Sequence, residues 1–385
     1  MRPETDAQML RALYMQGVQA AESGDAVTAR PLFYRLLSEA SRLGDLHHSN
    51  LALNEIEMLD GALRLYSKPR GMHVMLTARC NMACPFCYAE HMGDEDLPPE
   101  VCRELKGLFP YLQRVVWQGG EACLHPEFED LIKESAKHRH MGQTLVTNGL
   151  FLSERWMDLF AETAKFDLML PVESMRPELH GRYRPGSSWA KLAEKVRMIS
   201  EYRERRNPKL SLSMNVVLMK GNHRELPAIV DFAAENGFSA MVLTGLYQCS
   251  DGFYRQEHLS FAEAREYLDG VMPSVRAKLE KSGISLQDRF SPPAAPSADG
   301  AADGRKPTVR CRAPWQQLYI LSDGRTRSYC YCQEDIGNLK SETPELLWNN
   351  ARAMALRKSM LEGRSSRCHQ ACVEGRVESY NFRMI

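Results

Sequence analysis

The chain has 385 residues, its 49 Lys and Arg are balanced by 49 Asp and Glu, and 44% of its residues are apolar. That is enough chain for two or three packed units, and the lack of a basic excess argues against a general nucleic-acid binder. No apolar run reaches the roughly 20 residues that span a bilayer, and "MRPETDAQML" lacks the regions of a signal peptide, so a soluble cytoplasmic protein without nucleic-acid or membrane partners is expected.

Residues 1–68 read as a helical extension. "MLRALYMQGVQAAESGD" and "ARPLFYRLLSEASRLGD" carry apolar residues at helical spacing, and each closes on Gly-Asp. Two such units are too few to define a helical repeat. They suit a cap on the following unit or a partner-docking module.

Residues 69–289 alternate short β-rich runs with amphipathic helices. The strands are expected at 72–77, 114–118, 143–148, 166–172, 210–219 and 240–245, with helices such as "HPEFEDLIKESAKH" and "HRELPAIVDFAAENG" between them and another at 260–282. Such a pattern predicts an α/β fold with a parallel sheet and right-handed crossovers. Six units make a partial (β/α)6 version of the TIM barrel, with function at the C-terminal ends of the strands. Residues 290–307, rich in Pro, Ala, Gly and Asp, read as a linker. Residues 308–385 form a small cysteine-rich domain, with a strand pair turning at Asp323-Gly324 and a helix over 344–362.

Eleven cysteines point to metal or catalysis in a reducing compartment. Cys80, Cys84 and Cys87 follow the first strand. A structural zinc site closes with four ligands, for which His73 or His91 could serve as the fourth here. Three thiolates also suit an iron–sulfur cube with one iron left open.

C-x3-C-x2-C with Phe86 before and Tyr88 after its last cysteine resembles the radical S-adenosylmethionine (SAM) superfamily. The resemblance implies a [4Fe–4S] cluster on Cys80, Cys84 and Cys87 whose open iron binds SAM. An external electron donor such as flavodoxin or ferredoxin then drives SAM cleavage to a 5′-deoxyadenosyl radical, which abstracts hydrogen from an unreactive C–H bond. "WQGGEACLHPEF" resembles the family's GGEP motif, with Ala122 in place of proline. It implies SAM contacts at Gly119, Gly120 and Glu121, the glycines admitting close backbone approach and the carboxylate accepting from an ammonium. "VTNG" adds Asn148. Glu173 and Ser174 stand where relatives often carry Ser-x-Asp, Arg184 stands at an arginine position, and Asn215 on the fifth strand is a further contact candidate.

The second set, Cys311, Cys330, Cys332, Cys368 and Cys372, is similar to SPASM and twitch auxiliary-cluster domains, the spacing being closest to twitch. A second, auxiliary [4Fe–4S] cluster is implied on Cys311, Cys330, Cys368 and Cys372, with Cys332 a fifth candidate and zinc the alternative occupant. Cys102 and Cys123 suit packing. Cys249, beyond the sixth strand, could donate hydrogen to a carbon radical as radical SAM epimerases do, or be a plain loop cysteine. The resemblance implies oxidation, cross-linking or epimerisation of a ribosomally made peptide, or dehydrogenation or epimerisation of an aminoglycoside or sugar-like molecule. A non-catalytic iron–sulfur electron carrier would need neither the open iron nor the Gly-Gly-Glu turn.

Overall fold

The structure, a computed structural model, describes residues 3–87, 94–246, 251–291, 311–330, 332–363 and 368. Helices α1 (Pro3–Glu22), α2 (Ala26–Leu43) and α3 (Leu46–Leu59) form the N-terminal layer with a small core of their own, which includes Leu10, Phe33, Leu36 and Leu51. The two Gly-Asp turns work as helix punctuation. Gly44 takes the left-handed conformation at φ 68° after α2, while Asp25 and Asp45 accept the backbone N–H of Thr28 and His48 as N-caps. α3 is joined to the rest by buried polar bonds. Arg70, 1% exposed, donates to Glu55, Asn54, Tyr14 and Gln113, and Asn54 donates to the Trp315 carbonyl at 2.7 Å.

The six predicted strands are present as β1 (Gly71–Met75), β2 (Arg114–Gln118), β3 (Gly142–Val146), β4 (Phe166–Pro171), β5 (Leu210–Leu218) and β6 (Ala240–Gly245). All pair in parallel in chain order. Helices α4 (Pro99–Lys106), α5 (Phe128–Ala136), α6 (Glu154–Ala161), α7 (Pro177–Tyr183), α8 (Trp189–Arg205) and α9 (Leu226–Glu235) lie between them, and α10 (Asp251–Glu257) and α11 (Phe261–Lys281) follow β6. A seventh parallel strand, β7 (Ser285–Asp288), extends the sheet beyond β6. It is short, polar and half exposed, so no apolar run announced it.

The C-terminal segment comprises α12 (Ala313–Gln316), the hairpin β8 (Gln317–Ile320) and β9 (Arg325–Arg327), the two-residue β10 (Gly337–Asn338), α13 (Pro344–Trp348) and α14 (Ala351–Leu361). The hairpin turns at Asp323-Gly324 as expected, with Gly324 at φ 82°. The expected single helix is broken at Asn349 and Asn350, where Asn350 caps α14. Most of the linker, residues 292–307, lies outside the described residues, as do residues 308–310. β8 pairs in parallel with β1, matching Gly71 to Gln317, so the hairpin continues the central sheet as β10-β9-β8-β1-β2-β3-β4-β5-β6-β7.

The sheet has two chemically different faces, because side chains alternate along each strand. Met72, Val74, Val115, Trp117, Leu168, Leu212, Met241 and Leu243 are buried under the helices in the main core. The opposite face is mixed, carrying His73, Thr144, Asp167, Ser213, Asn215 and Thr244 beside Val116, Met169, Val217 and Val242. In folds of this kind function sits at the C-terminal ends of the strands. No helix among the described residues is long and apolar enough to cross a membrane.

Candidate active site

The cysteine loop leaves β1 and is clamped from both sides by backbone. On one side, Gly120 N–H donates to the Thr77 carbonyl at 2.7 Å and Glu121 N–H to the Arg79 carbonyl at 2.9 Å. A methyl group on Gly120 would stand 2.1 Å from the Arg79 oxygen, and one on Gly119, at φ 138°, would stand 2.4 Å from the Thr77 oxygen. These glycines are therefore required for close approach to the protein's own cysteine loop, a demand beyond the room for a ligand that the resemblance implies. On the other side, Ala83 N–H donates to the Pro185 carbonyl at 3.1 Å, and a methyl group on Gly186 would lie 2.7 Å from the Asn81 oxygen. The sequence "RYRPG" is thus a second clamp, and its Arg-Pro-Gly after a short helix was the signal available for it.

Glu121 is fully buried. Its carboxylate accepts from the Thr147 hydroxyl at 2.8 and 2.9 Å, from Asn148 N–H at 3.0 Å and from Cys123 N–H at 3.4 Å. Burial nevertheless raises its pKa. A sealed carboxylate with these partners braces the β2 and β3 loops, at the same turn where the resemblance implies a contact to the SAM ammonium. The brace has a purpose, since Asn148 Nδ2 donates to Asn81 Oδ1 at 2.8 Å and lies 3.8 Å from the Cys80 sulfur.

Cys80 is exposed, Cys84 buried and Cys87 half-buried. Burial pushes the Cys84 thiol up to about 11 against the opposing pull of Arg184, with Glu173, Cys87 and Cys80 adding to the rise. Burial and the nearby Glu121 and Cys87 also raise Cys80, although hydrogen bonds from Met82 and Asn148 oppose them. Thiols that raise one another's pKa need a cation to be ionised together, and soft thiolates suit an iron–sulfur centre. In that chemical sense the donor set fits the implied cluster. Among the described residues no three His, Cys, Asp or Glu side chains already converge on metal-ligating geometry. His73 is buried between Tyr319 and Tyr329, with ring centroids 5.8 and 5.9 Å away. His91 and Tyr88 lie outside the described residues.

Glu173, 1% exposed, grips Arg184 through both oxygens at 2.7 and 2.5 Å. The guanidinium carbon lies 5.2 Å from the Phe86 ring centroid, and Nη1 reaches the Cys84 sulfur at 3.6 Å. Asn215 stands half-buried on the face of β5 that also carries Ser213, and its carbonyl accepts from Val172 N–H. Cys249 and its neighbour Tyr247 lie outside the described residues.

The second set gathers at the foot of the hairpin. Cys311, Cys330 and Cys332 pack around Ala313 and Tyr329, and Cys332 forms a backbone bridge with Cys368. Burial pushes the Cys311 thiol up to about 11, with Cys368 contributing. Cys332 thus stands among the other three described cysteines, a position that spacing did not reveal. Cys372 lies outside the described residues. The two sets meet where Cys87 and Cys330 both pack on Met75, Tyr319 and Leu321. Cys102 is in the core, where burial raises its thiol to about 12, and Cys123 packs against the core.

Residues 74–233 match the family model of the radical SAM superfamily, and residues 311–373 match the SPASM model, an iron–sulfur cluster-binding domain. The tungsten-containing aldehyde ferredoxin oxidoreductase cofactor-modifying protein of Pyrococcus furiosus is 30% identical over 183 residues, 46% of this chain and 51% of that protein. The chain thus spans about half the length of such curated relatives. The PqqA peptide cyclase of Gluconobacter oxydans is 24% identical over 304 residues, 74% of this chain and 78% of that one. Among solved structures, Streptococcus suis SuiB bound to S-adenosylmethionine superposes with a TM-score of 0.60 at 14% identity, over 90% of this chain and 83% of that one. The enzyme anSMEcpe with bound AdoMet and a peptide gives 0.57 at 17% identity, over 75% and 83%. At these identities the structural likeness is one of fold.

Proposed function

The chain belongs to the radical SAM superfamily and carries a SPASM-type iron–sulfur domain, and we propose that it is an enzyme that oxidises, cross-links or epimerises a ribosomally made peptide. The observation that supports this most is the clamped cysteine loop, held at the C-terminal mouth of a parallel sheet, with the second cysteine set flanking the hairpin whose strand β8 pairs with β1. When bound, the cluster and SAM supply a 5′-deoxyadenosyl radical that takes hydrogen from a substrate carbon.

In this reading Cys80, Cys84 and Cys87 hold the first cluster. Gly119, Gly120 and Glu121 fix the loop that carries it. Asn148 supports the loop, and Asn215 faces the space where the cofactor and substrate meet. Cys311, Cys330 and Cys368 hold the auxiliary cluster, with Cys332 or Cys372 as the fourth ligand. Cys249 returns hydrogen to the product radical in the redox-neutral case. The enzyme works in the cytoplasm, where thiols stay reduced, with flavodoxin or ferredoxin as donor. The peptide class is supported by the likeness to PqqA peptide cyclase and by the fold shared with SuiB, itself solved with the precursor peptide SuiA. A small-molecule reading is favoured by one observation, the 28% identity over 176 residues to a probable GTP 3′,8-cyclase of Methanosarcina mazei.

The test is anaerobic reconstitution followed by SAM and dithionite. 5′-Deoxyadenosine should form with the wild type and disappear in the Cys80, Cys84, Cys87 triple alanine variant. Short peptides encoded beside the gene should lose two hydrogens, or take up deuterium from heavy water. Deoxyadenosine production raised only by nucleotides or sugars would overturn the peptide reading, and none at all would overturn the enzyme reading.

A further inference from the structure

We propose that Arg184, locked by Glu173, is a positioning residue that sets how readily a cluster on Cys80, Cys84 and Cys87 is reduced, by donating from its guanidinium to the Cys84 sulfur. This rests on the reading that the triplet holds an iron–sulfur cluster. The resemblance alone would assign Arg184 to contact with SAM; the geometry also brings its guanidinium to the cysteine loop. Nε and Nη2 form one edge of the guanidinium fork, and Glu173 closes that edge with both of its oxygens. The remaining nitrogen, Nη1, lies 3.6 Å from Cys84 Sγ.

Three local features hold this arrangement rigid. The Phe86 ring lies 5.2 Å from the guanidinium carbon. Arg184 N–H bonds the His180 carbonyl at 2.7 Å at the end of α7. The next two residues, Pro185 and Gly186, are the clamp on the cysteine loop at Ala83 and Asn81. The arginine is therefore fixed relative to the sulfur through the backbone as well as through its side chain. Its side chain is 14% exposed and that of Glu173 is 1% exposed, so water screens the contact weakly.

The pair is neutral as a whole, but it presents its positive end to the sulfur. One-electron reduction adds negative charge to the cluster and its thiolates. N–H donors to sulfur stabilise that charge, and a charged donor does so more strongly than a neutral one such as the Asn148 amide beside Cys80. Arg184 thus favours the reduced state from which an electron is passed on, and Glu173 keeps the guanidinium from swinging towards other anions.

The test uses the full reconstituted chain and the variants Arg184→Gln and Arg184→Lys. Iron and sulfide are counted, the midpoint of the triplet's cluster is measured by EPR-monitored titration without SAM, and SAM affinity is read from the change in cluster spectrum. The triplet's signal is the one lost in the triple alanine variant. The expected result is full iron in both variants and a lower midpoint in Arg184→Gln, with the reduced fraction at fixed poise falling about tenfold, equivalent to about 59 mV for one electron. Arg184→Lys, which keeps the charge, should shift less. An unchanged or raised midpoint overturns the proposal, and if SAM affinity falls at the same time, Arg184 is a SAM ligand instead. Loss of the cluster from both variants also overturns it, in favour of a role in holding the loop. A wild type that binds no iron at the triplet refutes the proposed function itself, a result distinct from all of these.

Discussion

Acid should loosen the N-terminal helices from the sheet, and His47 is the main reason. It lies in the first turn of α3, is 6% exposed, and stacks on His140 with ring centroids 4.3 Å apart. His140 comes from the loop between α5 and β3, so the stack bridges two layers. Burial is the largest influence lowering the His47 pKa to about 2; His140, His48 and Arg70 add to it, and Asp45 opposes. His138 and His140 are lowered too, mainly by burial. A histidine held neutral in the fold lets the unfolded chain take the proton first. Stability is therefore complete above the ordinary value of 6.5 and falls as pH drops towards the folded value. At pH 5.5, RT ln(1 + 10) gives about 1.4 kcal/mol from His47 alone, a figure that barely changes for any folded pKa below about 4. Urea unfolding at pH 7.5 and 5.5, comparing wild type with His47→Phe, measures it. The variant keeps a ring in the stack and should lose about that much less on acidification. Equal losses in the two proteins would refute the argument.

Gly120→Ala should force the Gly-Gly turn off the cysteine loop, breaking two backbone hydrogen bonds at about 1 kcal/mol each; thermal unfolding and iron counting should show lower stability and less iron at the triplet. Arg357→Met should cost ~3 kcal/mol in urea unfolding, because it strips the donors from the buried carbonyls of Pro314, Leu63 and Trp348. Cys332→Ala should lower iron at the auxiliary site while leaving the triplet's EPR signal, if Cys332 completes the set around Cys311, Cys330 and Cys368; unchanged iron would pass the role to Cys372.

Six strands and the two cysteine sets were legible because each rests on local pattern. Apolar β-rich runs mark strands buried beneath helices, and cysteines clustered at short spacing point to metal. What the sequence hid depends on tertiary partners. β7, with Ser285, Gln287 and Asp288, has no apolar signature because it lies at a sheet edge. Glu121 carries the family pattern, yet only the fold reveals that Thr147 and Asn148 enclose its carboxylate. The glycines suit room for a ligand, and only the fold adds that the carbonyls of Thr77 and Arg79 leave no space for a Cβ there. Spacing left Cys332 as a fifth candidate, and the hairpin turn and its backbone bridge to Cys368 bring it among the others.

The parallel pairing of β8 with β1 has a consequence for biosynthesis. The strand that leads into the first cysteine triplet acquires its second neighbour only when Gln317–Ile320 has been made, so in the nascent chain β1 is a bare edge with open hydrogen-bonding groups. Closure spans most of the chain's length, a long-range step that folds slowly compared with the helices around it. In the proposed reading, metal loading of the triplet then has a time window, before the hairpin arrives, in which the loop is accessible from the β1 side. Removing the C-terminal domain would do more than delete its cysteines, because it would hold that window open and leave an edge ready to join another chain.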